Sequence, residues 1–384
     1  MGTRAFEPKP FRVEIPAAEV EDLRGRLRDT RWPDQETVTD WSQGAPLSYV
    51  QELARWWGED YDMGLAERIN AFEQVKVEVD GLGIHLLHVR SPEPDALPIV
   101  LTHGWPGSVV EFLDVLGPLS DPRAHGGDPA DAFHVVAPSL PGYGWSDKPT
   151  EAGWGIERIA GAWHQLMTGL GYERYVAQGG DWGSGVTTAL AQQAPEGLAA
   201  IHLNMPLAFP DADTMADLTP AETSALADMG AHAETGMGYS GQQSTRPQTL
   251  GYGLSDSPAG QLAWIIEKFW AWTDGGGHPE GALTRRQMLD DVSAYWFTGS
   301  ATSSARLYWE SFKSLQTGGP VDLPTAVTVF PREIIRPSRR WAEKAYPNLC
   351  WFEEVDHGGH FAALEQPEIF VDQLRGCFRP FRRS

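Results

Sequence analysis

Tyr175-Val176-Ala177-Gln178-Gly179-Gly180-Asp181-Trp182-Gly183-Ser184 is the stretch on which the fold of this chain turns. Residues 175–178 read as a short apolar strand and residues 184–194 as a helix, with a glycine-rich turn between them. This is the strand–turn–helix setting of the pattern G-x-S-x-G, where small flanking residues allow a bend so sharp that the central side chain stands above the sheet. Here the central residue is Asp181, not serine. A serine alkoxide attacks an acyl carbon. A carboxylate attacks an electrophilic sp3 carbon, such as that of an epoxide or alkyl halide, and leaves an alkyl ester on the protein. The competing reading is a solvated aspartate in a flexible turn, since a short pattern alone is a hypothesis.

Composition narrows the possibilities. The chain has 384 residues, enough for one large domain with additions or for two domains. It is 41% hydrophobic and 21% charged, as in ordinary soluble proteins. Lys plus Arg is 30 and Asp plus Glu is 52, a net charge of −22. Such a surface repels phosphate backbones, which argues against a nucleic-acid partner. The short tail Arg379-Pro380-Phe381-Arg382-Arg383 is the one basic cluster. Residues 1–14 hold no apolar run of signal-peptide length, and no stretch approaches the roughly 18–20 apolar residues of a membrane span. Cys350 and Cys377 are too few for a disulfide framework and are expected to be reduced, in a cytoplasmic protein with no membrane partner. The 16 tryptophans are read as core packing, with a few lining a pocket as the sharper alternative.

Outward from the turn, the chain alternates strand and helix. A helical run from Pro16 places Val20, Leu23 and Leu27 on one face, and a second sets Leu47, Val50, Leu53, Trp56 and Trp57 at helical spacing. Neither helix has an evident hydrophobic partner within residues 1–74, so this segment is expected to brace or cover the main domain. Val75, Val77 and Val79 alternate with Lys76 and Glu78. They pair with Ile84-His85-Leu86-Leu87-His88-Val89 through the turn Asp80-Gly81-Leu82-Gly83. Strands at 99–102, 135–137, 175–178 and 198–203 are separated by helices at 109–116, 159–170 and 184–194. Short unalternating apolar strands between helices imply a parallel sheet covered on both faces. Residues 208–319 break the rhythm with helices, such as 261–272, and glycine-rich loops, and read as an inserted cap. Strand 326–330, helix 339–346, strand 349–355 and helix 367–375 then resume it. The expected domains are an N-terminal helical segment (1–74), a core (75–207 and 320–384) and a helical cap (208–319). Among known plans this resembles the α/β-hydrolase fold, with a mostly parallel sheet.

A carboxylate nucleophile needs a base for water, an acid to orient that base, and donors for developing charge. His360, in Val355-Asp356-His357-Gly358-Gly359-His360-Phe361, follows the last strand, where such sheets carry chemistry. His357 and His360 also form H-x-x-H, but the intervening glycines disfavour a rigid metal-binding pair, and no metal is expected. For the acid, Glu333 follows the preceding strand, with Glu354 and Asp356 as rivals beside the histidine. His103-Gly104-Trp105-Pro106 follows strand 99–102 and is the expected oxyanion loop. Its donors are the backbone N–H groups of Trp105 and Trp182, because Pro106 has none. His103 is expected to tether that loop. Gly236-Met237-Gly238-Tyr239-Ser240-Gly241 fits G-x-G-x-x-G but follows no strand, and is read as a cap loop.

These residues resemble the microsomal-type epoxide hydrolases over nearly the whole chain. The resemblance rests on Phe11-Arg12-Val13 to Trp32-Pro33, Tyr61-Asp62, His103-Gly104-Trp105-Pro106-Gly107-Ser108, Gly179-Gly180-Asp181-Trp182-Gly183-Ser184 and Gly358-Gly359-His360-Phe361-Ala362-Ala363-Leu364-Glu365. It implies hydrolysis of a small-molecule epoxide to a vicinal diol with water, without a cofactor, in a soluble bacterial form serving detoxification or secondary metabolism. The family's F-P-x-E-I segment matches Phe330-Pro331-Arg332-Glu333-Ile334 and so favours Glu333. Of the family's two cap tyrosines, one falls on Tyr308. The other should follow S-P-x-G, and the matching stretch carries Trp264, an indole that donates but cannot transfer a proton. Trp264 is thus expected either as a second donor or as a pocket wall. Haloalkane dehalogenase, which shares the aspartate turn, and a non-catalytic binding protein of the same fold are the alternatives.

Overall fold

The computed structural model describes residues 6–313, 315 and 319–382. Residues 1–5 of the N-terminal segment, 314 and 316–318 of the cap, and Arg383 of the basic tail lie outside the described residues. Nine strands form one sheet: β1 (Lys9–Pro10), β2 (Gln74–Val79), β3 (Leu82–Val89), β4 (Leu97–Thr102), β5 (Phe133–Pro138), β6 (Tyr175–Gly179), β7 (Leu198–Leu203), β8 (Thr325–Val329) and β9 (Leu349–Glu354). Their spatial order is β1-β2-β3-β5-β4-β6-β7-β8-β9. Pairing is antiparallel from β1 through β5 and parallel from β5 to β9. The β2–β3 turn is tighter than the four-residue loop expected. Asp80 and Gly81 alone make it, both at positive φ (49° and 79°), the signature of a type I′ hairpin.

The central strands are buried on both faces because side chains alternate along them. Ile99, Leu101, Val135 and Val176 pack on one face with Val115, Leu116 and Leu119 of helix Leu113–Ser120 and with Phe370, Val371 and Leu374 of helix Pro367–Phe378. Val100, Val136, Ala177 and Ile201 pack on the other with helices Ile156–Gly169 and Trp182–Gln193. The helix expected at 109–116 starts as a 3-10 turn over Val109–Phe112 and becomes α-helical only from Leu113 to Ser120.

The N-terminal segment differs from expectation in two ways. Lys9–Pro10 joins the sheet as its edge strand, where the missing proline N–H costs no ladder bond. Its helices Ala17–Arg28 and Leu47–Glu59 also pack on each other, through Leu23, Leu27, Leu53 and Trp57 and an Arg24 Nε to Gly58 oxygen bond of 3.0 Å. Their outer contacts reach the insertion. Trp57 Nε1 donates to Ser293 Oγ at 2.9 Å, and from the next helix, Leu65–Asn70, Arg68 Nε donates to the buried Asp290 at 2.8 Å. The insertion between β7 and β8 is helical, with Thr219–Glu222 and Thr284–Gln287 capping boxes starting two of its helices. Gly238–Thr245 is another helix of the insertion and takes in most of the 236–241 stretch expected as a loop. Cys350 and Cys377 are unpaired, and no described helix is long and apolar enough to cross a membrane.

Candidate active site

Asp181 sits between β6 and the helix Trp182–Gln193 with φ 50° and ψ −127°. An L-residue in this region costs about 1–3 kcal/mol and persists only where its surroundings impose it. They do so through close backbone approach. A Cβ at Gly183 would lie 1.9 Å from the Thr102 oxygen, and one at Gly179 would lie 2.0 Å from the Gly183 oxygen. The turn therefore cannot relax outward. The carboxylate stands above the C-terminal ends of β4 and β6, at a helix N-terminus that favours negative charge.

Three loops converge on it. From the loop after β4, the Trp105 N–H donates to Asp181 Oδ1 at 2.7 Å. The Trp105–Pro106 peptide is cis. His103 lies wholly buried behind this loop, its pKa pushed down to about 4 by burial. The neutral ring bonds Gly104 O through Nδ1 (3.0 Å) and accepts from Leu140 N–H at Nε2 (3.1 Å), so it tethers the loop as expected. Trp182, first residue of the helix, carries the second expected donor, and its N–H has no partner among the described residues.

From the loop after β8, Glu333 is buried and its Oε1 lies 2.7 Å from His360 Nδ1. From the loop after β9, His360 Nε2 lies 3.3 Å from Asp181 Oδ2. The two loops are stitched by Arg332 N–H to Gly358 O at 3.1 Å, and His360 N–H donates to Trp272 O at 2.9 Å. Burial works against a charged His360 ring, but the Glu333 and Asp181 carboxylates outweigh it and hold its pKa well above 6.5. Glu354, Asp356 and His357 are exposed, so none shares this arrangement. Glu365, whose role sequence reasoning did not assign, clamps the histidine loop by accepting from Phe361 N–H (3.0 Å) and Asp274 N–H (2.8 Å).

The insertion roofs a pocket of about 520 Å³ over Asp181, walled largely by apolar groups such as Met205, Leu207, Phe209, Met229 and Phe312. A π-helical turn, His232–Gly236, lines one side. Tyr308, on helix Ala301–Ser311, reaches this pocket as expected, and its ring meets Trp182 edge-on at 4.7 Å. Trp264 does not line it. Its indole donates to Gln243 Oε1 at 3.1 Å, so the expectation of a second donor or wall at Trp264 is corrected. The second phenol is Tyr239, from the stretch set aside as a cap loop. It stacks on Trp105 at 5.0 Å and lies 5.7 Å from Tyr308, ring centre to ring centre. Burial first, together with the Asp181 charge, pushes both phenols well above their ordinary pKa, so both stay protonated donors.

The described residues hold no cluster of three metal-ligating side chains. Comparison with known proteins agrees with this geometry. Residues 8–112 match the family described as "Epoxide hydrolase N terminus", and residues 98–233 match "alpha/beta hydrolase fold". A Stigmatella aurantiaca protein named as a candidate epoxide hydrolase is 56% identical over 97% of this chain and 85% of its own length. Epoxide hydrolase 1 of Sus scrofa is 32% identical over 96% of this chain and 87% of its own. The solved Aspergillus niger epoxide hydrolase superposes with a TM-score of 0.88 at 32% identity, covering 98% of this chain and 97% of that one. With the aspartate turn, the histidine–glutamate pair and the two phenols in place, the chain belongs to the epoxide hydrolases of the microsomal type, enzymes of the α/β-hydrolase fold.

Proposed function

We propose that this enzyme opens an apolar epoxide by covalent attack of Asp181 and releases a vicinal diol by hydrolysing the resulting ester. The observation that carries this reading is the placement of Asp181, with two phenols on its pocket side and His360 3.3 Å from its other oxygen. One Asp181 oxygen bonds to an epoxide carbon as that carbon's ring C–O bond breaks. The charge released on the ring oxygen is held by hydrogen bonds from the O–H groups of Tyr308 and Tyr239. His360 then removes a proton from water, whose oxygen adds to the Asp181 carboxyl carbon. The Trp105 and Trp182 N–H groups hold the oxyanion, and the ester C–O bond breaks to free the diol. Alkylation itself prepares the base. It removes the Asp181 charge, one of the two carboxylates that keep the ring protonated, so the ring's pKa falls, its proton is released to neutralise the opened ring oxygen, and the neutral ring can then accept water's proton. The working division is a brace (1–74), a core (75–207 and 320–384) and a cap (208–319).

Styrene oxide should be turned over, while a haloalkane and a p-nitrophenyl ester of similar size should not. Turnover of the haloalkane alone would overturn the proposal. Tyr308→Phe and Tyr239→Phe should each slow alkylation by about 10²-fold, the cost of one preorganised donor, while sparing ester hydrolysis. Trp264→Phe should leave both steps close to wild type. Stopped-flow alkylation rates separate these cases, and unchanged alkylation in both tyrosine variants would remove the phenols from the mechanism.

A further inference from the structure

Asp181 borders a second space. A cavity of about 20 Å³, lined by Asp181, His360, Gly107 and Glu111 among others, shares only Asp181 with the wall of the large pocket. A cavity holds a water once it offers about 10–15 Å³ and two to four polar partners. This one meets both conditions, and it lies beside the two groups that the second half-reaction needs.

Glu111 stands out among its walls. It comes from the 3-10 turn Val109–Phe112, just beyond the oxyanion loop. Its carboxyl makes no hydrogen bond to any described residue, and part of its surface stays open on the wall of this cavity. A polar group that faces a water-sized space without a protein partner is normally bonded to water. The chain also makes room for it: a Cβ at Gly107 would lie 1.5 Å from Glu111 Oε1, so the carboxyl rests directly on that glycine. Burial, the nearby Asp291 and Asp181 raise the Glu111 pKa well above 4.5, although the His360 charge pulls it down. Asp291 is itself pushed up to about 8 by burial. A neutral Glu111 does not compete with Glu333 and Asp181 for the His360 proton, and its carbonyl oxygen can still accept a hydrogen bond.

We propose that Glu111 positions the hydrolytic water in this cavity, accepting one of its O–H groups while His360 takes the proton of the other. The proposal rests on the covalent reading above. In the step, the water oxygen bonds to the Asp181 carboxyl carbon and its proton passes to His360 Nε2. As the ester C–O bond breaks, His360 returns that proton to the departing diol oxygen, and the second water proton, left on the Asp181 carboxyl, passes to His360 and restores the starting charges. Glu111 exchanges no proton; it fixes which lone pair faces the ester.

The test measures alkylation and ester hydrolysis separately, by quenched-flow intact mass with styrene oxide. Glu111→Leu should alkylate at close to the wild-type rate yet hydrolyse the ester about 10²-fold more slowly, the cost of a misplaced reactant. Glu111→Gln, whose amide oxygen accepts the same bond, should recover most of that loss. Gly107→Ala, which displaces the carboxyl, should mimic Glu111→Leu and serves if that variant folds poorly. Unchanged hydrolysis in Glu111→Leu, an equal fall in both steps, or Glu111→Gln as slow as Glu111→Leu would each overturn the placement alone. If His360→Gln forms no ester either, the covalent reading fails and the placement fails with it.

Discussion

His360→Gln is expected to alkylate once and then stop. Glutamine keeps roughly the bulk of the ring but cannot take a proton from water, so the ester on Asp181 should persist and appear as added mass on the intact protein. Removing a positioned base of this kind costs on the order of 10²–10⁴ in the step it serves. The same logic sets the pH response of the wild type. His360 is held protonated in the free enzyme by Glu333 and Asp181, and alkylation cancels the Asp181 contribution. Hydrolysis should therefore slow as pH falls through the ring's pKa in the ester form, since a charged ring accepts no proton. Alkylation, which needs the Asp181 carboxylate and protonated phenols, should not follow that fall, so ester should accumulate toward acid pH. Steady turnover by His360→Gln without ester would mean that another group serves as the base.

Asp181→Gly is expected to abolish turnover, by roughly 10⁴–10⁶ if removal of this nucleophile compares with removal of a serine-protease nucleophile. The fold should survive. The native conformation, φ 50° and ψ −127°, is strained for aspartate and accessible to glycine. Relief of about 1–3 kcal/mol of strain opposes the extra freedom glycine gives the unfolded chain, about 0.5–1 kcal/mol, and the lost Trp105 N–H bond to the carboxylate, about 1.5–3 kcal/mol. The melting temperature should thus stay close to that of the wild type while activity disappears. A sharp drop would show that the Asp181 side chain stabilises the elbow rather than being strained within it.

Much of the core could be read from the sequence because its signals are local. The strand β7 falls where the apolar run 198–203 puts it, and the aspartate turn is dictated by glycines that cannot bear a Cβ. Its place after the preceding strand favours Glu333 over Glu354 and Asp356 only modestly, and the resemblance strengthens that choice. The structure gives the physical reason: Glu333 is buried on His360, whereas both rivals are exposed. What escaped depends on contacts distant in sequence. Lys9–Pro10 is too short to show any period and is a strand only because β2 accepts it. Tyr239 was hidden by the glycines around it, which drew attention to a phosphate-loop pattern. An aromatic residue in a cap rich in aromatics carries no local mark of facing the nucleophile. Trp264 was favoured for its place after Ser257-Pro258, but helical phase turns it toward Gln243. Glu111 carries no sequence signal of its own, because only the fold sets its carboxyl on the cavity beside Asp181 and His360.

The most direct test of covalent attack by Asp181 is a single turnover in heavy-oxygen water with enzyme in excess over styrene oxide. The new diol oxygen should come from the Asp181 carboxylate, so the first diol should be unlabelled and the label should be found in a peptide containing Asp181. Label in the first-turnover diol, with none at Asp181, would contradict covalent attack and indicate that water opens the epoxide directly.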